Sequence, residues 1–195
     1  LRTGAYRSIY GMGRHNHENS VAIPGYEELV LLSGDDTFSA PASQLYSYIA
    51  ADTDAVWNDD GHLWAFQATT PAGSPPINDY HDISGSASAS GAFIPVPDIV
   101  AEGGQSGLES WSNANNVFQF IRVEDIAYDR NDSNIVYFAD TGEPRAIVDP
   151  DFPVTGRLKR GPSGTTGPFP NGKIWKMILD ENDPRVVTSL SVLWD

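Results

Sequence analysis

The sequence predicts an all-β chain whose antiparallel strands form propeller-like blades, and three observations carry that expectation. The apolar runs are short, rich in aromatic and β-branched residues, and bounded by Gly, Asp, Asn and Pro, which is the pattern of strands. Sustained helical periodicity is hard to find anywhere along the chain. Two pairs of segments also echo each other. D-x-N-D-x-x-(I/V)-V occurs from 129 and again from 180, an offset of 51 residues, and (D/N)-G-(H/K)-(L/I)-W occurs from 60 and from 171, an offset of 111 residues.

In chain order the expected strands are "ELVLLSG" (28–34), "QLYSYIA" (44–50), "HLWAFQAT" (62–69), "NVFQFIR" (116–122), "DIAYD" (125–129), "IVYFAD" (135–140), "KIWKMIL" (173–179) and "VVTSLSVLWD" (186–195). The Asp, Asn and Gly residues of the echoes supply tight turns, because they tolerate positive φ or bond their own backbone. A period near 50 residues suits a blade of four antiparallel strands, so the 195-residue chain holds about three to four blades. The expected organisation is one partial β-propeller domain over 1–195, interrupted by long irregular insertions at about 70–115 and 155–172. The first contains "DISGSASASGAF", read as a solvated linker or a flexible lid. The second carries the basic cluster Arg157, Lys159 and Arg160, read as a solvated loop. The start at Leu1 and the end inside an apolar run are expected of a piece of something longer.

Charge narrows the partners. There are 26 Asp and Glu residues against 12 Lys and Arg, a net charge of −14. Such a surface repels nucleic acid and anionic lipid and attracts cations, with calcium foremost because hard cations prefer carboxylate and carbonyl oxygens. The same charge also serves plain solubility in a saline or extracellular setting. The chain has no cysteine, so disulfides, thiolate metal sites and cysteine nucleophiles within it are excluded. No apolar run is long enough to span a bilayer as a helix.

Two constellations could hold chemistry. The first is "GRHNHENSVAIPG" (13–25). If 15–18 is extended, His15 and His17 face one side and Asn16 and Glu18 the other. The histidine face could serve zinc if His62 or His81 supplied a third ligand. The Asn16 and Glu18 face offers oxygen ligands suited to calcium. A purely structural arrangement would have His17 bonding a backbone carbonyl and Glu18 pairing with Arg14.

The second constellation is "FIRVEDIAYD" (120–129), where Arg122 and Glu124 share a strand face and Asp125 points the other way. The pair is either a plain ion pair, or Arg122 binds a phosphate in its bidentate fork while Glu124 holds a metal. The remaining acidic groups, "GDD" (34–36), "NDDG" (58–61) and "DENDP" (180–184), sit where hairpin turns are expected. No nucleophile elbow, Walker loop or dinucleotide fingerprint is present.

With both constellations in view, the chain resembles the PhoX-type alkaline phosphatases and their wider family of bacterial propeller proteins. "YGMGRHNHEN" (10–19) is similar to that family's G-R-x-N-H-E signature, and "FIRVEDIAYD" followed by "IVYFADTGEP" resembles its R-x-E-D segment. "GKIWKMILD" and the closing strand are similar to its blade repeats. The resemblance covers about 10–70 and 115–195. It implies part of a six-bladed propeller with an axial calcium and iron site, cleaving phosphomonoesters in the periplasm or outside the cell. Glu18 and Glu124 are then metal ligands, Arg122 binds the substrate phosphate, and Asn16, His17 and Asp125 lie near the metal. The phosphatase branch ligates iron through a cysteine, which this chain lacks, and family chains are much longer.

Two functions are therefore expected. One is a PhoX-like metal-dependent phosphomonoester hydrolase or a fragment of one. The other is a non-catalytic propeller segment in an extracellular or periplasmic assembly, where other protein chains cover the open sheet edges.

Overall fold

In the computed structural model, which describes residues 4–37, 43–142 and 172–194, the short apolar runs pair edge to edge in one antiparallel sheet. Its strands are β1 (His17–Ile23), β2 (Leu29–Asp35), β3 (Leu45–Ala50), β4 (His62–Ala68), β5 (Ser88–Pro95), β6 (Val123–Tyr128), β7 (Ile135–Asp140), β8 (Lys173–Leu179) and β9 (Val186–Trp194). Their order across the sheet is β1-β2-β3-β4-β5-β9-β8-β7-β6. Two meanders, β1 to β5 with five strands and β6 to β9 with four, make up the sheet, a connectivity loosely compatible with propeller-like blades. They join where β5 pairs with β9, with Ser88 opposite Ser191 and Ala92 opposite Val186. The sheet curls until its outer strands β1 and β6 lie side by side, giving a nearly closed barrel. The fold is all-β, as the sequence predicts.

The barrel interior is apolar and aromatic. Val30, Leu32, Phe66, Phe93, Val136, Phe138, Trp175, Met177 and Leu190 point inward and are buried. Each such side chain is worth about 1.5–3 kcal/mol of transfer free energy. A second cluster, with Tyr46, Leu63, Ala65, Leu108 and Val117, lies on the outer face of β3 and β4. There α2 (Asp98–Ala101) and α3 (Gln105–Ala114) cover the sheet. Covered on both faces, β3 is buried along its whole length. A third helix, α1 (Thr53–Asn58), follows β3 and is capped by the Asp52 carboxylate, which accepts from the Ala55 N–H at 2.8 Å.

The first echo is a repeated hairpin. Between β6 and β7, Asp129 Oδ1 accepts from the Asn131 N–H at 2.8 Å, and the Asp129 N–H bonds the Ile135 carbonyl at 2.8 Å. Between β8 and β9, Asp180 Oδ1 accepts from the Asn182 N–H and the Asp180 N–H bonds the Val186 carbonyl, both at 2.9 Å. The shared D-x-N-D therefore encodes one turn used twice. In the second echo, His62 and Lys173 open β4 and β8, but the tryptophans diverge. Trp175 is buried in the barrel, whereas Trp64 is half-buried with the Arg185 guanidinium 4.8 Å from its ring centre.

Two expected features differ. "NVFQFIR" (116–122) forms no ladder strand and makes only single bridges, Phe120 to Ser43 and Gln119 to Asp79. Asn116 and Arg122 adopt left-handed φ of 54° and 63° at its two ends, which takes the segment out of the pleat. It fills the barrel instead, with Phe120 stacked edge-on to Phe138 and Trp175 at 5.2 and 5.3 Å. "DISGSASASGAF" is not a linker, because Ser88–Pro95 is β5. The insertion expected at 70–115 thus holds a strand and two helices. Residues 155–171 of the second insertion, with Arg157, Lys159 and Arg160, lie outside the described residues.

Candidate functional site at one end of the barrel

The end of the barrel where β1 begins, β2 ends and β6 begins collects most of the candidate residues. Gly34 makes this convergence possible. A Cβ there would stand 2.6 Å from the Val123 carbonyl oxygen, so only glycine lets β2 approach the start of β6. The Val123 N–H donates to Ser43 Oγ at 3.1 Å, and the Ile121 N–H to Asp140 Oδ2 at 2.7 Å. These bonds hold Arg122 in its left-handed conformation between two fixed neighbours.

From there the Arg122 side chain reaches Asp36. Nε donates to Asp36 Oδ1 at 2.8 Å and Nη2 to Oδ2 at 3.4 Å, a forked pair. Nη2 also donates to Glu124 Oε1 at 3.2 Å, and the Thr141 hydroxyl donates to that same oxygen at 3.0 Å. Arg122 and Asp36 are largely buried, with side chains 17% and 9% exposed. One guanidinium thus holds two carboxylates together.

Asp36 also carries the first motif. The Asn16 side-chain amide donates to the Asp36 carbonyl at 3.0 Å, and the Asp36 N–H donates to the Asn16 carbonyl at 2.9 Å. Next to it, Asp35 Oδ1 accepts from the Thr37 hydroxyl at 2.6 Å and the Asn16 N–H at 3.2 Å. Burial pushes the Asp35 carboxyl up to about 7, against the lowering effect of those two bonds, and the charges of Glu109 and Asp36 push the same way as burial. Gln105 on α3 spans the gap, its amide donating to Thr37 Oγ1 at 3.3 Å and Glu109 Oε1 at 3.0 Å. Beneath the rim, burial pushes the Asp140 carboxyl up to about 8. The Lys173 ammonium donates to the Tyr80 and Ile83 carbonyls at 3.1 Å each.

The two histidines do share a face, and it points at Ser33. Their rings lie 3.6 Å apart. His17 Nε2–H donates to the Gly13 carbonyl at 3.0 Å, so Nδ1 accepts from the Ser33 hydroxyl at 2.9 Å. Ser33 Oγ in turn accepts from His15 Nε2–H at 3.2 Å and from the Ser20 hydroxyl at 3.0 Å. His15 Nδ1 is left as a buried acceptor with no partner among the described residues. Burial first, then the adjacent His17, lowers the His15 pKa well below the ordinary value, so the imidazole is neutral. His62 bonds Asp98 at 3.1 Å and His81 packs against Tyr80, so neither supplies a third zinc ligand. Among the described residues, no three His, Asp or Glu side chains form a metal-ligating group.

The structure brings together Asn16, Arg122 and Glu124, with Asp36 as the link. His17 bonds a backbone carbonyl, as in the structural arrangement weighed above. Glu18 is exposed on β1 and takes no hydrogen bond or ion pair among the described residues, with Arg14 or with Glu124; Arg14 lies over the Tyr10 ring, 4.7 Å from its centre. Asp125 sits on the outer face of β6, lining a cavity of about 500 Å³ with Ala127, Tyr137 and Ile174. A bulge between Val123 and Ile126 puts it there.

Sequence reasoning passed over Asp35 and Asp36 because "GDD" reads as a turn. It is instead the buried end of β2. The available signal was its position directly after the apolar run "LVLLS".

In comparisons with known proteins, no family model, no curated protein and no solved structure matches this chain.

Proposed function

We propose that the chain is a PhoX-like metal-dependent phosphomonoester hydrolase or a segment of one, acting in the periplasm or outside the cell. One observation carries the reading. The two motifs that bear the resemblance, about 100 residues apart in sequence, meet on Asp36 through Asn16 and Arg122. The donors at this rim are oxygens, from Asp35, Asp36, Glu124, Thr37 and Thr141, which suits the hard-cation chemistry of calcium. Asp36 and Glu124, whose carboxylates already share one cationic partner, are the residues that would hold it. Bound there, calcium would supply Lewis-acid polarisation of a phosphoryl oxygen. The chain has no thiolate, so the iron of the resemblance has no cysteine ligand here and no step is assigned to it.

In this reading the substrate phosphate takes over guanidinium donors of Arg122 that Asp36 and Glu124 hold in its absence. Asp36 orients the guanidinium, and Thr141 fixes the rotamer of Glu124. The test is hydrolysis of p-nitrophenyl phosphate with added calcium. Turnover is expected, abolished by chelator and reduced about 100-fold or more in Glu124→Gln. Turnover unaltered in Arg122→Ala would sink the reading.

A second reading, a non-catalytic propeller segment bound by other chains, draws on the same ion pair. Arg122 is already held by two carboxylates and Glu18 stands apart from them. A folded chain with no turnover in calcium, bound stoichiometrically by a partner chain, is what this reading expects.

A further inference from the structure

A pocket of about 410 Å³ lies between the end of β4, the loop after it and the C-terminal end of α3, away from the acidic rim. In a chain of net charge −14, none of the residues lining this pocket is charged. Its apolar floor is Ala68, Pro76 and Ile77, and its polar groups come from Gln67, Thr69, Thr70, Asn78 and Asn116.

Bonds to neighbouring residues orient three of these groups. The Gln67 amide nitrogen donates to the Asn115 carbonyl at 2.6 Å, which commits its nitrogen and leaves Oε1 as an acceptor. Asn116 Oδ1 accepts from the Asn78 amide at 3.3 Å, which leaves the Asn116 Nδ2 as a donor. Asn116 has φ of 54°, a conformation asparagine tolerates better than most residues. Thr70 Oγ1 accepts from the Ile77 N–H at 2.9 Å, so its own O–H can turn towards a ligand. Gln67 Oε1 and Asn116 Nδ2 take no partner among the described residues.

We infer that this pocket is a binding site for a neutral ligand bearing adjacent hydroxyls, of monosaccharide size. The donor and acceptor pattern selects that chemistry. A hydroxyl both donates and accepts, so two neighbouring hydroxyls satisfy Gln67 Oε1 and Asn116 Nδ2 together. A phosphate or carboxylate would face the Gln67 oxygen with no cation to balance it. An ammonium group would find no carboxylate in the pocket wall. The volume exceeds that of one hexose ring, and the apolar floor suits its C–H face. This site is independent of the phosphohydrolase reading, since it shares no residue with the Arg122 rim.

The experiment is titration of the full chain with D-glucose and D-galactose, followed by nuclear magnetic resonance of amide side-chain signals. Glucose 6-phosphate and glucosamine serve as charged counterparts. Saturable binding of at least one neutral sugar is expected, with the charged analogues weaker. Two variants keep the fold: Asn116→Gly, which suits the positive φ, and Thr69→Val, which is isosteric. Asn116→Gly should weaken binding roughly five- to tenfold, the loss of one neutral hydrogen bond. The inference is overturned if no neutral sugar saturates, if the charged analogues bind as well, or if the folded Asn116→Gly chain binds unchanged.

Discussion

The guanidinium of Arg122 grips both carboxylate oxygens of Asp36, at 2.8 and 3.4 Å, across 86 residues of sequence. The grip ties β2 to the entrance of β6, where the sheet curls to meet itself. It is therefore both the centre of the candidate site and a clasp on the barrel.

That double role has an energetic consequence. Arg122→Ala leaves Asp36 and Glu124 facing each other without a cation, and is expected to cost about 3 kcal/mol in denaturant unfolding. A double-mutant cycle of Arg122→Ala with Asp36→Ala should return a coupling of about 1–3 kcal/mol. A coupling near zero would show that the clasp contributes nothing to the fold.

Asp35 gives a pH signature. Its carboxyl is pushed from 3.8 to about 7 by burial, so between those values the folded chain holds a proton that the unfolded chain has lost. Stability is then highest at low pH with respect to this group and falls as pH rises from about 4 to about 7. Asp35→Asn should flatten that slope and be the more stable protein at pH 8. Thermal melts at intervals across pH 4–8 would show it, and parallel slopes in both proteins would refute the assignment.

Gly34→Ala should be among the more damaging single-methyl additions. The new Cβ would meet the Val123 carbonyl at 2.6 Å, and backbone cannot swing aside as a flexible side chain would. A loss of about 1–3 kcal/mol is expected. Because Val123 adjoins Arg122, the same variant should also weaken any calcium-dependent turnover.

The repeated hairpin predicts related but unequal costs. Asp129→Ala removes one turn bond and Asp180→Ala two, since Asp180 Oδ1 also accepts from the Asp183 N–H at 3.1 Å. Each bond is worth about 1 kcal/mol, so Asp180→Ala should be the costlier by roughly that amount. Equal or reversed losses would mean that the additional Asp183 N–H bond contributes nothing to stability.

What the sequence determined was local. The runs "LVLLSG", "IVYFAD" and "KIWKMIL" became strands because β-branched and aromatic alternation is a property of the chain itself. The repeated D-x-N-D became a repeated turn because an aspartate bonding its own backbone needs no distant partner. The pairing of Arg122 with Glu124 was likewise within reach, two residues apart. Tertiary structure decided the rest. "NVFQFIR" has a strand's alternation, yet Phe118 and Phe120 fill the barrel because an interior that size needs aromatic volume more than it needs another ladder. "SASGAF" has a linker's composition, yet it is a strand because Gly91 lies so close to the Gln67 carbonyl and the Phe66 ring that no side chain fits. Asp36 could not be tied to Arg122 from composition or spacing, because that contact exists only once the nine-stranded sheet has curled β1 and β6 side by side.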